Sequence, residues 1–478
     1  MKVPYILNCG KFHWIAQNPA YSPTFPILFS ASISKERITF ALFMVGHTMY
    51  NNFIGTYVQV FFTGMGIAAM TVALIFLVAR IWDAVNDPIF GAIIDRSRLK
   101  GGKFLPWLRL AAFLIPLALL LIFAMPAGLP SGAKAAWAAT AYILYGMSYT
   151  ICDVPIFSMT SAITDQVQER ADIMSRNLLA GGFATIAVMV GAPQLYIRIG
   201  WFLTALCVAL PAAAFMFLFT RYGKERFINR NPEPVTLRSM TGYVHTNKYL
   251  LIFFSGFMLI NATATTQMMA AYFTAFCLGD PGLTSAIVGC IVLPALIVAA
   301  FLPVLTRRFD KFRIFFFASV ANALVGTVHF FAGYGNRALL FGLLMARGIF
   351  WGASMMTQYM FTGDLVEYGE FKTGKRLQGT AFSLQTLTSK LSGSLAGSLA
   401  MFILGLAGFV EGENAIQGEN TVRIIWALFS LFPAAGVAIA LPVLLRYRLR
   451  DQDVQIMARY NSGEIKREEA EAAFSHPY

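Results

Sequence analysis

Apolar stretches of roughly 20 residues, enough to cross a bilayer as helix, recur along the whole chain, and that recurrence constrains the fold most. About twelve can be read, centred roughly on residues 50, 80, 116, 149, 185, 210, 260, 295, 325, 350, 392 and 435. Within lipid every backbone polar group needs an internal partner, which leaves helices or a closed barrel. Barrel strands would be short and alternate in polarity; these runs are long and evenly apolar. Only 13% of the 478 residues are charged, against about a quarter in a soluble domain. The chain reads as an all-α, polytopic membrane protein.

The formal net charge of +13 would suggest nucleic acid in a soluble protein, but its placement excludes that partner. Arg96, Arg98, Lys100 and Lys103 follow the second segment, and Arg221, Lys224, Arg226, Arg230 and Arg238 follow the sixth. Arg307, Arg308, Lys311 and Arg313 follow the eighth, and Lys372, Lys375 and Arg376 the tenth. The opposite connections carry mostly single positives, such as Lys134 and Arg198. By the positive-inside rule these clusters are cytoplasmic, and an even span count puts both termini there, in a plasma (inner) membrane. Membrane lipid is then an obligatory partner. Cys9, Cys152, Cys207, Cys277 and Cys290 show no CxxC or Cys/His ligand spacing, so they read as apolar filler.

The polar stretch 223–248 is the longest interruption of the membrane region and divides it into two sets of six segments. The expected organisation is an N-terminal arm at 1–37, a bundle at 38–222, a central cytoplasmic loop at 223–248, a second bundle at 249–447 and a cytoplasmic tail at 448–478. The arm reads either as an amphipathic segment or as an over-extended start. "IIDRSRLKGGK" after the second segment and "VLTRRFDKFR" after the eighth are a weak echo of a parallel repeat. Two six-helix halves about a midplane cavity are a common transporter plan.

The stretch "RIWDAVNDP", Arg80 to Pro88, carries charge where lipid penalises it. Asp83 and Asp87 are one helical turn apart on one face, with Asn86 at its edge and Arg80 a turn before. Each charge at mid-bilayer costs about 2.5–3.5 kcal/mol on insertion scales. Paired carboxylates also repel unless a proton or cation lies between them. A salt bridge from Arg80 would account for one aspartate and leave the other. In the fourth segment Thr150 lies one turn before Asp153. Pro88 and Pro155 follow the aspartates, and each frees the carbonyl four residues back, at Ala84 and Ile151. Carboxylates, a hydroxyl and a freed carbonyl suit a small hard cation, with Asp83, Asp87 and Asp153 as the metal-ligating carboxylates. Lys390, about ten residues from either end of the eleventh segment, is expected to face the cavity and an aspartate. Arg347 and His329 are also interior, and His329 is expected to be a hydrogen-bonded packing residue.

Five motifs then carry a likeness: "ARIWDAVNDPIFG", "GKFLPW", "YTICDVP", "VEYGEFKTGKR" and "SLQTLTSK", in order along residues 40–450. They resemble the glycoside–pentoside–hexuronide:cation symporters, the major-facilitator branch that includes the melibiose and glucuronide permeases. The resemblance implies the major facilitator fold, about 12 transmembrane helices in two pseudo-symmetric six-helix halves. It implies a secondary transporter, not an enzyme, with no cofactor and a monomeric chain. A glycoside, pentoside or hexuronide would move with a monovalent cation, Na⁺ first, H⁺ or Li⁺ as the other candidates. Asp83, Asn86, Asp87, Thr150 and Asp153 become cation ligands, and Asp153 also contacts sugar. Lys390 matches the eleventh-helix lysine of the family's cation site, and Tyr368, Glu370 and Lys372 match its cytoplasmic gate. The sugar shell departs from the melibiose permease. Phe157 stands where that permease has tryptophan, and its first-helix acid corresponds to Thr48 or Asn52. Arg176 resembles its fifth-helix arginine.

Two other functions fit parts of the same sequence. A lysophospholipid or other non-sugar carrier would keep the fold and the cation site. An intramembrane aspartyl protease would use membrane aspartates, and "CLGDPG" (277–282) superficially matches its motif, but Pro281 and Gly282 make Asp280 a turn residue.

Overall fold

The computed structural model describes residues 35–97, 99, 101–164, 167–226, 247–374, 376–412, 415–476 and 478. The expected arm at 1–37 lies outside the described residues except for 35–37, and the central loop except for 223–226 and 247–248. The first half contains α1 (Lys35–Gly64), α2 (Ala69–Arg96), α3 (Leu105–Phe123), α4 (Ser131–Ile163), α5 (Val167–Ile199) and α6 (Trp201–Tyr222). The second contains α7 (Lys248–Asn261), α8 (Thr266–Tyr272), α9 (Thr284–Arg308), α10 (Lys311–Ala332), α11 (Arg337–Gln358) and α12 (Phe361–Thr373). It continues with α13 (Gln378–Leu406), α14 (Glu419–Ser430) and α15 (Phe432–Leu444), and α16 (Asp451–Asn461) and α17 (Arg467–Ala473) form the tail. No strand occurs among the described residues.

Nine helical stretches among them are long and apolar enough to span a membrane, and ten if the pair α14–α15, bent by 48°, is one span. The remaining two of the expected dozen are α1 and α4. At 30 and 33 residues they are long enough. They are more polar because α1 carries His47, Asn51, Asn52 and Gln59, and α4 carries Ser148, Thr150 and Asp153. Of these, His47, Gln59, Ser148, Thr150 and Asp153 are buried in the interior.

Small residues set the closest helix crossings. Gly348 and Gly352 are four apart on α11, and a Cβ on either would come within 2.5 Å of α9, at the Ile291 carbonyl oxygen or Ala295 Cα. This is the small-xxx-small packing that lets membrane helices approach. Gly348→Leu is therefore expected to lower the thermal midpoint in detergent by about 5 °C or more, overpacking costing 1–3 kcal/mol or above. An unchanged midpoint would show that the crossing tolerates the bulk.

The halves touch through α2 against α13 and α5 against α9, pairs related by the repeat. Most polar links between them lie at one end. Thr63 Oγ1 lies 2.8 Å from Tyr272 OH, Gln194 Nε2 donates to the Gly282 carbonyl at 2.9 Å, and Gly412 N donates to the Thr63 carbonyl at 3.0 Å. At the other end, where residues 97–104 and 374–377 lie, no hydrogen bond joins the halves among the described residues. The tail packs against that end of the second half. Asp453 accepts from Ser475 N at 2.8 Å and from Tyr478 OH at 2.5 Å, while Tyr478 rests on Tyr249 and Tyr368. Lys372 Nζ donates to the main-chain oxygen of Tyr478 at 2.5 Å.

Candidate functional site

Midway along α2, α4 and α13 the interior charges converge. Arg80 Nη1 donates to Asp83 Oδ2 at 2.9 Å, one turn along the same helix. The other carboxylate oxygen of Asp83 rests against Gly146 of α4, where a Cβ would lie 3.0 Å away. Asp87 is held from two other helices: Thr150 Oγ1 donates to its Oδ1 at 2.7 Å, and Lys390 Nζ to its Oδ2 at 3.1 Å. The same ammonium lies 2.8 Å from Asp153 Oδ2. Lys390 thus crosses from the second half to bridge two carboxylates of the first. It was expected to meet one aspartate and meets two.

Asp153 has a further partner. His47 Nε2 of α1 lies 3.0 Å from its Oδ1, and an ionised carboxylate makes the imidazole the donor. Tyr149 OH lies 3.2 Å from both His47 Nδ1 and the His47 carbonyl oxygen, and the two rings stack with centroids 4.5 Å apart. The sequence reading missed His47 and Tyr149. The polar run "GHTMYNN" inside an apolar segment was the signal available for the histidine. Asn86 is buried and its Nδ2 has no protein partner.

The groups expected to meet sugar lie on α1, α4 and α5. Asn52 Nδ2 donates to Thr185 Oγ1 at 2.8 Å, which ties α1 to α5. Thr48 Oγ1 packs on Gly181, 3.2 Å from where a Cβ would be. Arg176 is half-buried on α5, five residues before Gly181, and forms no ion pair with a described residue. Phe157 is in α4, but its side chain lies outside the described residues, as do those of Ala84 and Pro88.

The carboxylate, hydroxyl and amide oxygens of Asp83, Asp87, Asn86, Thr150 and Asp153 suit a monovalent ion. No three His, Cys, Asp or Glu groups among the described residues converge as a metal cluster. The ammonium of Lys390, itself a monovalent cation, stands between Asp87 and Asp153 instead. Side-chain accessibilities of 29% for Asp87 and 28% for Lys390 leave that bridge open to exchange. Asp280, by contrast, only caps an exposed turn, accepting from Gly282 N at 2.9 Å. Among the described residues it bonds to no second aspartate of the kind a protease would require.

Residues 39–451 match the family described as MFS/sugar transport protein. The chain is 26% identical to an isoprimeverose transporter of Lactiplantibacillus pentosus, over 94% of this chain and 95% of that one. It is 23% identical to a glucuronide carrier protein homolog of Escherichia coli, over 82% and 87% of the two chains. Its fold is similar to the crystal structure of the nucleoside transporter NupG, with a TM-score of 0.65 and 14% identity over 87% of this chain and all of that one.

Proposed function

Because the chain belongs to the MFS/sugar transport protein family, and its relatives include a putative glycoside/cation symporter of Escherichia coli, we propose that it imports an acidic glycoside or hexuronide with Na⁺. It is a polytopic membrane transporter and not an enzyme. The observation that carries the cation reading is the Lys390 bridge to Asp87 and Asp153. A mobile cation entering among Asp83, Asp87 and Thr150 competes with the ammonium for Asp87, and Lys390 is left on Asp153. Asn86 and Thr150 do not titrate near neutral pH, which favours a metal ion over a proton as the second partner.

Alternating access follows from where the halves touch. With the basic loops cytoplasmic, the hydrogen-bonded end is extracellular and the cleft opens inward. Asp153 is central to coupling, since it touches α1 through His47 and α13 through Lys390. A sugar hydroxyl bonded to an ionised Asp153 tightens the cation, and by linkage the cation tightens the sugar by the same factor.

Charge balance supports the acidic sugar. Asp83, Asp87 and Asp153 are opposed by two fixed cations, Arg80 and Lys390, so one bound Na⁺ brings them to neutrality. Arg176 remains without a described carboxylate partner, and a uronate would supply one. Uptake into proteoliposomes tests both parts. Neutral glycosides, pentosides and uronides are offered under an inward Na⁺ gradient and a matched choline control. Na⁺-stimulated accumulation of the uronide pool is expected. Stimulation by an inward proton gradient alone would reassign the ion, and accumulation of only neutral sugars would refute the charge argument.

A further inference from the structure

Away from the central cleft, a second interior cation sits in the other half of the molecule. Arg347 is ten residues into α11 and 3% exposed. Its Nη2 donates to Thr266 Oγ1 at 2.8 Å and its Nη1 to the Phe429 carbonyl at 3.2 Å. No carboxylate among the described residues forms an ion pair with it, and its Nε–H has no protein acceptor. An unpaired charge among packed apolar helices costs several kcal/mol.

Satisfying a stray carbonyl does not explain the guanidinium. Pro433 has no N–H, so the carbonyl of Phe429, four residues back, loses its helical bond where α14 bends into α15. Thr266 Oγ1 already donates to that oxygen at 3.0 Å, and Thr265 Oγ1 serves the neighbouring Leu428 carbonyl at 2.5 Å. The positive charge of Arg347 is surplus to this repair.

Beside it lies a second group with unmet bonding. The Nε edge of Arg347 faces α10 at Gly326, where a Cβ would lie 3.7 Å from it. His329, one turn further along α10, is fully buried, and neither ring nitrogen has a protein partner. The expectation of a hydrogen-bonded packing histidine therefore fails. Aromatic rings surround the imidazole instead, with Trp426 edge-on at 4.9 Å and Phe429 at 6.2 Å. A neutral imidazole still carries one N–H donor. The seam between α10 and α11 thus holds two unmatched donors, one fixed positive charge and no described anionic group.

We propose that Arg347 and His329 form a binding site for a small monovalent anion of the halide class, with chloride as the occupant. The anion accepts from the Nε–H of Arg347 and the ring N–H of His329 and neutralises the guanidinium. Because Arg347 also grips Thr266 and Phe429, it braces the breaks between α7 and α8 and between α14 and α15. The site shares no residue with the coupling-cation cluster, so it does not depend on the transport reading.

Thermal unfolding of the purified full-length protein in detergent tests this, with sodium chloride, bromide and methanesulfonate compared at matched ionic strength. Chloride and bromide are expected to raise the midpoint saturably, by about 5–10 °C near hundredfold saturation, and methanesulfonate is not. The rise should vanish in Arg347→Gln. If that variant does not fold, His329→Phe keeps the guanidinium but removes the ring N–H, and should shift the halide titration to at least about tenfold higher concentration. Anomalous scattering from a bromide-grown crystal should place a peak between the two side chains. Equal midpoints in chloride and methanesulfonate for the unaltered protein would overturn the site. So would a halide response unchanged in both variants.

Discussion

Replacing Asp153 with asparagine is expected to weaken sugar and cation binding together, each by about a hundredfold. The substitution preserves the size of a side chain that is 8% exposed, so packing of α4 is little disturbed. It removes the charge that holds Lys390 at 2.8 Å and His47 at 3.0 Å. Hydrogen bonds to charged groups contribute about 1.5–3 kcal/mol, and 2.7 kcal/mol is about a hundredfold in affinity. Without that carboxylate Lys390 turns wholly to Asp87, where the ammonium competes more strongly with the mobile cation. Calorimetric titration of the purified variant with Na⁺, and with sugar at saturating Na⁺, reads the two effects separately. A loss confined to sugar would remove Asp153 from the cation shell and with it the coupling route drawn through that residue.

The long helices and most of the charged site were legible because each is written locally. Asp83 and Asp87 are one turn apart in a single helix, and the residues around Asp153 and Lys390 belong to recognisable runs. Their joint meeting was an inference, since Lys390 and Asp87 are 303 positions apart. His47 escaped notice for the same reason. A lone histidine in an apolar segment has no partner within a turn, and its carboxylate lies 106 residues downstream. The polarity of α1 and α4 was also informative in retrospect, as the two helices least suited to lipid are those that carry His47, Thr150 and Asp153. Arg347 and His329 were visible as interior residues, but their unmet bonds depend on packing between helices and had no signature in sequence.

Lys390→Ala is expected to separate two activities that a binding defect would lose together. When the carrier is empty, Asp87 and Asp153 share the ammonium of Lys390, so the site reorients with a single carboxylate charge uncompensated. The alanine variant must return with two uncompensated carboxylates or not at all. At about 2.5–3.5 kcal/mol for each exposed charge, one such charge in the barrier slows the return about a hundredfold. Net Na⁺-driven uptake requires that return and should fall by this factor. Exchange of external labelled sugar for internal unlabelled sugar proceeds through the loaded carrier, in which Na⁺ replaces the missing cation, and should survive within about fivefold. Counterflow and net uptake in the same proteoliposomes give the comparison. If both fall equally, Lys390 holds substrate or cation directly and does not stand in for the ion on the empty return.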